Sequence, residues 1–482
     1  MKFLLLLKAP HYLRPFVGTV QQLAARGHEV CIAWFTEAGK TRDEDREPFV
    51  TYPGVTFMNV SGTRSSHRRE VATVRRFWNY LRYLDEPYRG ATKLRKRAFT
   101  KVWRLIRSSG SSDPDLELAL SPRELRRLKA VLEYVEELIP SDPSCEEFLR
   151  ELRPNALLVS PLVDLNSSTQ ADFMKAAARL GIATGMLVYS WDNLSTKGGL
   201  HTMPDRVFVW NRRQRREAVH LHGVSRDRVV ITGAPRFDPF LACKPTVGRS
   251  TFYTSLGFNP EKHLVMYVCS SSFVSGDELP FIRRWLHELR ASPFDSVRDC
   301  NVIVRPHPDV SLVDLEMPAT KPDWGSNIAA AVRRPFDDDR AVVLNTTSVT
   351  PQGLFECLWH SHAVVGLNTS AEIEAALAGR AVLSVLAGDA ADGQESTLHF
   401  HYLRDEHREG FVRAASSLVE HAEQLDAVLH TWKAVGRKAR RRAMSLVRPY
   451  ARATPVSQTL AEAIEREFSP SPVAGIPADV SA

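Results

Sequence analysis

No stretch of this 482-residue chain approaches the ~20 consecutive apolar residues that a membrane-spanning helix requires. The opening MKFLLLLKAP is apolar too briefly to be the core of an export signal. Lys8 cuts it, and no small-residue cleavage site follows. Cysteine is scarce, with six residues (Cys31, Cys145, Cys243, Cys269, Cys300 and Cys357) and no CxxC spacing. That removes a zinc ribbon, a thioredoxin-like redox pair and a disulfide framework. Several of the six sit in apolar, strand-like runs, so reduced buried thiols in a cytoplasmic setting are expected, with contact to the inner membrane face left open. His360, His362, His399 and His401 have neither Cys partners nor an HExxH frame, so no metal site is read from them. No GxGxxG follows the first strand, so no dinucleotide is indicated. No short-period repeat is present either.

What is present is an ordinary globular composition, 44% hydrophobic and 25% charged, with a formal charge of +7 that favours anionic ligands without naming one. Apolar strand runs alternate with helical periodicity. Lys2–Leu7, a helix over Thr19–Arg26 and Glu29–Phe35 open a doubly wound sheet, which resumes with strands at Ala156–Val159, Ala183–Tyr189, Arg206–Trp210 and Val229–Thr232. Cys243–Ser250 reads as a linker. A second set of strands follows at His263–Cys269, Asn301–Val304, Ala341–Leu344, Ala363–Leu367 and Val382–Leu386. The expected architecture is α/β, with two doubly wound Rossmann-type domains facing a cleft: residues 1–242 and 251–430, then a helix over 431–468 and a disordered tail over 469–482.

One stretch breaks the pattern. Arg64–Arg107 carries fourteen Lys and Arg against three acids, interleaved with aromatics and with Val71, Val74, Trp78 and Leu81 at helical spacing. It forms the core of a basic helical insertion over about 62–148. Two readings stand: a helical layer packing its apolar stripe on the domain, or a surface for anionic lipid or a phosphorylated acceptor. No nucleic-acid module accompanies the charge, so nucleic acid is not expected.

The chain resembles a GT-B glycosyltransferase over almost its whole length, on three stretches. They are HYLRPFVGTVQQLAARGHEV (His11–Val30), VIVRPHP (Val302–Pro308) and GLNTSAEIEAALAGRAVL (Gly366–Leu383). The second is similar to a loop of bacterial surface-polymer transferases and CDP-glycerol glycerophosphotransferases. UDP-N-acetylglucosamine 2-epimerases share much of the signature. The resemblance implies a nucleotide-sugar or CDP-polyol donor held by the second domain and a cell-surface polysaccharide or lipid-linked acceptor. No resident cofactor is implied. No Asp-x-Asp pair stands where a donor-bound cation is expected, since Asp337–Asp339 lies in a polar loop, so metal-independent transfer is expected.

Residue by residue, Asn368, Thr369 and Ser370 match the helix start that holds the donor diphosphate, where free N–H groups and the helix dipole favour an anion. Glu374, or alternatively Glu372, matches the carboxylate that reaches the donor ribose. Arg305 and His307 would neutralise the leaving diphosphate, and Ser271 and Ser272 (with Ser270) would add hydroxyl contacts. His11 is a candidate acceptor base, with Asp192 and Asp164 as rivals. Trp191 and Asn193 would meet the acceptor. The functional expectation is a transferase. A sugar-nucleotide epimerase and a non-catalytic binding subunit are the alternatives.

Overall fold

The computed structural model describes the whole chain except residues 40, 63–66, 107–119, 167, 309–318, 322–329, 347–350, 408–409, 451–452 and 470–482. The expected tail over 469–482 therefore lies almost wholly outside the described residues, as do the ends of the Arg64–Arg107 stretch.

Two seven-stranded sheets form the frame. The first comprises β1 (Lys2–Leu7), β2 (Glu29–Phe35), β3 (Val55–Val60), β4 (Ala156–Ser160), β5 (Ala183–Leu187), β6 (Arg206–Val209) and β7 (Val229–Ile231), in the order β3-β2-β1-β4-β5-β6-β7. Every pairing in it is parallel. The second comprises β8 (Leu264–Val268), β9 (Asn301–Arg305), β10 (Ala330–Arg333), β11 (Ala341–Thr346), β12 (Ala363–Gly366), β13 (Ala381–Val385) and β14 (Val412–Ala415), in the order β10-β11-β9-β8-β12-β13-β14. Only β10 runs antiparallel. Central strands such as β4 and β8 are buried along their whole length. Helices cover both faces of each sheet, and this double cover makes the inner strands continuous apolar runs instead of alternating ones.

Between β3 and β4 the described residues form four α-helices, Arg68–Arg82, Thr92–Ile106, Pro122–Leu138 and Pro143–Leu152. Tyr80, Leu81, Tyr83, Tyr88, Leu94 and Leu125 form their own small core. The helical layer thus packs an apolar stripe, and two of its arginines turn inward. Arg75 and Arg82 are each 1% exposed. Arg82 donates to the carbonyls of Leu194, Lys197 and Gly198, so part of the basic run braces the protein from within.

The chain crosses to the second sheet after β7 and returns after the 30-residue helix Leu418–Val447. Asp238 fixes the return. It accepts from Arg448 at 2.8 Å and from the backbone N–H groups of Val456 and Ser457 at 3.0 and 2.7 Å. The last helix, Val456–Phe468, then packs Leu460, Ala461, Ala463 and Ile464 against the core around Phe3 and Leu5. Residues 431–468 are therefore two elements, one on each half of the molecule.

Candidate functional site

In parallel sheets ligands gather where the strands end at their carboxyl edges. Here a cavity of about 550 Å³ lies between those edges of the two sheets. The first sheet contributes Lys8 after β1, Asp164 after β4, the turn Tyr189–Lys197 after β5, and Arg236 after β7. The second contributes Ser271 after β8, His307 after β9, Asn368–Ser370 after β12, and Thr397 with His399 after β13. Arg97 reaches in from the helix Thr92–Ile106.

The turn after β12 is built by three residues. Asn368 takes φ +79°, a left-handed conformation that asparagine tolerates better than most side chains. Its amide donates to the Gln394 carbonyl at 2.8 Å and to Thr397 Oγ1 at 2.7 Å, tying two strand exits together. Glu372 folds back under the turn and accepts the Asn368 N–H at 3.0 Å. Thr369 and Ser370 line the cavity at the start of the helix Ala371–Leu377.

The turn after β5 is equally specified. Asn193 is buried and accepts the backbone N–H groups of Tyr189 and Ser190 at 2.8 and 3.1 Å, so its carbonyl oxygen shapes the turn. Asp192 accepts from the Ser190 hydroxyl and from Thr196 Oγ1 at 2.8 Å, and stands 3.4 Å from Lys197 Nζ. Burial works against its charge. Lys197, then His399 and the two hydroxyls, outweigh burial and hold the carboxyl well below the usual range. Trp191 meets His399 edge-on, with ring centroids 3.9 Å apart, across the two halves. Burial lowers the His399 imidazole to about 4 despite Asp192, so it is neutral at pH 7.

Several expected residues stand elsewhere. His11 is exposed and does not line the cavity. The 3-10 helix Pro10–Phe16 turns its neighbour Tyr12 inward instead, against Tyr189 at 4.7 Å. Burial, reinforced by Tyr189, pushes the Tyr12 phenol up to about 12. Ser272 is exposed beyond the lining, while Ser271 is in it. Arg305 ends β9 behind the cavity wall and His307 lines it. Glu374 lies near Arg236 and Arg305, and burial raises its carboxyl against both cations. It does not line the cavity either. Glu372 is wholly buried under the turn and is unavailable to a ribose. Of the four histidines weighed for metal, His399 is in the cleft. His360 bonds the Val247 carbonyl and His362 the Leu264 N–H, both at the opposite end of the second sheet. His401 bonds the Glu395 carbonyl.

Among the lining residues that the sequence did not single out are cations and aromatics: Lys8, Tyr12, Tyr189, Lys197, Arg97 and Arg236. Lys8 pairs with Asp164, and Lys197 with Asp192. Arg97 and Arg236 form no ion pair among the described residues. Arg97 stacks on Phe273 of the second half and Arg236 on Phe237. Position just after a strand would have signalled Lys8. Arg97 carried no signal, being one of fourteen cations in its stretch. Among the described residues no group of three or more His, Cys, Asp or Glu side chains converges as metal ligands would. No helix among them is long and apolar enough to cross a membrane.

No protein-family model matches the chain, and no curated protein does. Solved structures do. A Listeria monocytogenes protein assigned as a UDP-N-acetylglucosamine 2-epimerase matches with a TM-score of 0.51 and 12% identity, over 97% of this chain and 96% of that one. CalG4, the calicheamicin glycosyltransferase, matches at 0.47 and 13%, over 97% and 99%. MurG of Acinetobacter baumannii matches at 0.45 and 11%, over 97% and 100%. At such identities the likeness is one of fold. The fold is GT-B: two parallel-sheet α/β halves with a cavity between their carboxyl edges.

Proposed function

We propose that the protein is a GT-B transferase. It moves a glycosyl group, or a polyol-phosphate group, from a nucleotide-activated donor to a cell-surface polysaccharide or lipid-linked acceptor. The observation that carries this reading is the pair of guanidiniums, Arg97 and Arg236, which line the cleft and form no ion pair among the described residues. The opposite wall offers the hydroxyls of Ser271, Thr369 and Ser370. A diphosphate bound there would be met by planar cationic donors on one side and hydroxyls on the other. That arrangement also stabilises the charge growing on a leaving nucleoside diphosphate. Lys197, fixed by Asp192, adds a third cation.

The acceptor hydroxyl needs a proton acceptor. Asp192 is a poor one, because its charge is already held by Lys197 and two hydroxyls. His399 is neutral, lines the same cavity and interacts electrostatically with Asp192, which would stabilise the imidazolium formed on proton uptake. We assign the proton to His399 and the orienting charge to Asp192. His11 and Arg305, outside the lining, are not needed for this chemistry.

The test is a thermal-shift screen against UDP, GDP, CDP, ADP and dTDP, repeated with Arg236→Ala and Arg305→Ala. A nucleotide at a hundred times its dissociation constant adds about 2.7 kcal/mol of apparent stability. One nucleotide is expected to stabilise the protein, with a tenfold or greater loss of affinity in Arg236→Ala and a smaller one in Arg305→Ala. A flat screen on well-folded protein rejects the transferase. Exchange of a sugar-carbon proton with solvent, in the absence of an acceptor, would make the enzyme an epimerase.

A further inference from the structure

Behind the Trp191–His399 pair lies a second cavity of about 280 Å³. The helix Arg212–His222 of the first half forms one wall, and the helices Leu398–Leu403 and Leu418–Val447 of the second form the other. Trp191 and His399 line both cavities, so the two share this aromatic partition.

The polar groups of the pocket are nearly all committed. Asn211 accepts from the N–H groups of Arg213 and Gln214 and donates to the Leu446 carbonyl. Gln214 accepts from the Trp210 N–H and donates to the Ser190 carbonyl. Arg442 donates to the Gly410 carbonyl, and Arg213 stacks over Tyr402 at 4.1 Å. Two buried atoms of the lining residues have no hydrogen-bond partner among the described residues, Glu217 Oε2 and His399 Nδ1. Glu217 is 5% exposed and His399 8%. Buried polar atoms are paired in folded proteins almost without exception, so two orphans on residues of one lining leave hydrogen-bonding capacity beside the cavity, which a small side-chain rotation brings to a ligand.

The chemistry of those two groups narrows the ligand. Burial raises the Glu217 carboxyl to about 8, against Arg213 and Arg82, so at neutral pH it is mostly protonated and both donates and accepts. His399 is neutral there as well. Two neutral groups of mixed donor and acceptor character, in a lining that also holds Trp191 and Tyr402, suit vicinal hydroxyls on a ring with an apolar face. A protonated carboxyl also donates to a phosphate oxygen, and Arg212, Arg213 and Arg442 line the same pocket, so phosphate is the competing ligand.

We infer that this side pocket is a binding site for one uncharged saccharide ring, stacked on Trp191 or Tyr402 and hydrogen-bonded to Glu217 and His399. Saccharide binding stands on the pocket alone. Its place in a reaction rests on the proposed transferase, where the pocket would seat an acceptor sugar whose hydroxyl reaches the shared His399.

The experiment is saturation-transfer difference NMR on the full chain with a panel of probes. These are the methyl glycosides of glucose, galactose, mannose and N-acetylglucosamine, with inorganic phosphate as the charged control. At least one glycoside is expected to bind, and its ring-face protons should saturate most strongly. Glu217→Gln, a neutral isostere, should keep affinity within about threefold, whereas Glu217→Leu should lose tenfold or more. Tyr402 is half-exposed, so Tyr402→Ala supplies a variant that keeps the core intact and should show the same loss. A flat glycoside panel with wild-type protein overturns the site. So does binding that survives both Glu217→Leu and Tyr402→Ala, or displacement of the glycoside by phosphate. The nucleotide screen on the same variants separates this outcome from the transferase question. Nucleotide stabilisation without glycoside binding removes only the side pocket, and the converse removes only the transferase.

Discussion

Glu372 is completely buried, and one of its oxygens is spent on the Asn368 N–H. The other, Oε2, has no partner. A Cβ at position 366 would stand 2.7 Å from Glu372 Oε1, which explains a glycine at the end of β12. Burial pushes this carboxyl up to about 8 from a usual value near 4.5, even though the backbone donors favour its charge. The raised value sets the sign of a pH effect. Below about 4.5 folded and unfolded chains both hold the proton. From there up to about 8 the unfolded chain gives it up first, so stability falls with rising pH and levels off above. Glu372→Gln removes that slope. Urea unfolding at pH 5 and pH 8 should show the variant gaining on wild type by about 1 kcal/mol or more at the higher pH. Equal differences at both pH values would show that the carboxyl titrates normally. The sequence identified this turn as a site but could not separate Glu372 from Glu374. Residue type is the same at both, and which one lies under the turn depends on where the helix begins. Asp192 was legible as a cleft residue because it follows a strand. Its commitment to Lys197 was not, because that depends on a four-residue helix wrapping the chain back on itself.

At the scale of elements, the strands read from the sequence are the inner ones together with β7. Those not read, β3, β10 and β14, are all sheet edges. Edge strands keep one side open, and the mixed burial of β3 and the arginines in β10 and β14 break the apolar run that marks an inner strand. The basic stretch was legible as helix but not as brace. Arg75 donates to Glu136 at 2.8 Å, to Asp172 at 2.7 Å and to the Ser168 carbonyl at 3.0 Å. These partners come from three later segments, which no local pattern reveals. Arg75 therefore pins the helix Pro122–Leu138 to the helix Gln170–Arg179. Arg75→Met should cost about 3–5 kcal/mol, because it removes the buried cation shared by Glu136 and Asp172 and leaves Lys175 as the remaining cation at Glu136. Arg68→Met, on the exposed start of the same helix, should stay within about 0.5 kcal/mol. Chemical denaturation of the two variants side by side decides it. Similar small losses would mean that the buried cluster is solvated in solution.

For the whole molecule, the two-sheet frame and the cleft were legible from alternation alone, whereas the closing of the chain on its own beginning was not. The sequence reading runs a single helix over 431–468, and nothing in that stretch names the sheet its second part covers. Its apolar face completes the core beneath β1, and three ion pairs hold it there: Arg26 to Glu462 and Glu465, and Arg206 to Glu467. Leu460 and Ile464 alone contribute about 3–6 kcal/mol of burial. A domain's entire stability is about 5–15 kcal/mol, so the first half cut at residue 242 should lose a large share of its stability. Residues 1–242 expressed alone should be aggregation-prone, with the surface around Phe3, Leu5 and Leu23 uncovered. The same fragment with residues 453–469 appended through a flexible Gly/Ser linker should be soluble and unfold cooperatively. If the short fragment proves as stable as the extended one, the helix is a passenger. If only the extended one folds, the helix Val456–Phe468, tied at Asp238, belongs to the first half, and the chain joins the two halves twice. The cleft between them is then held by a second covalent crossing as well as by the contacts across it.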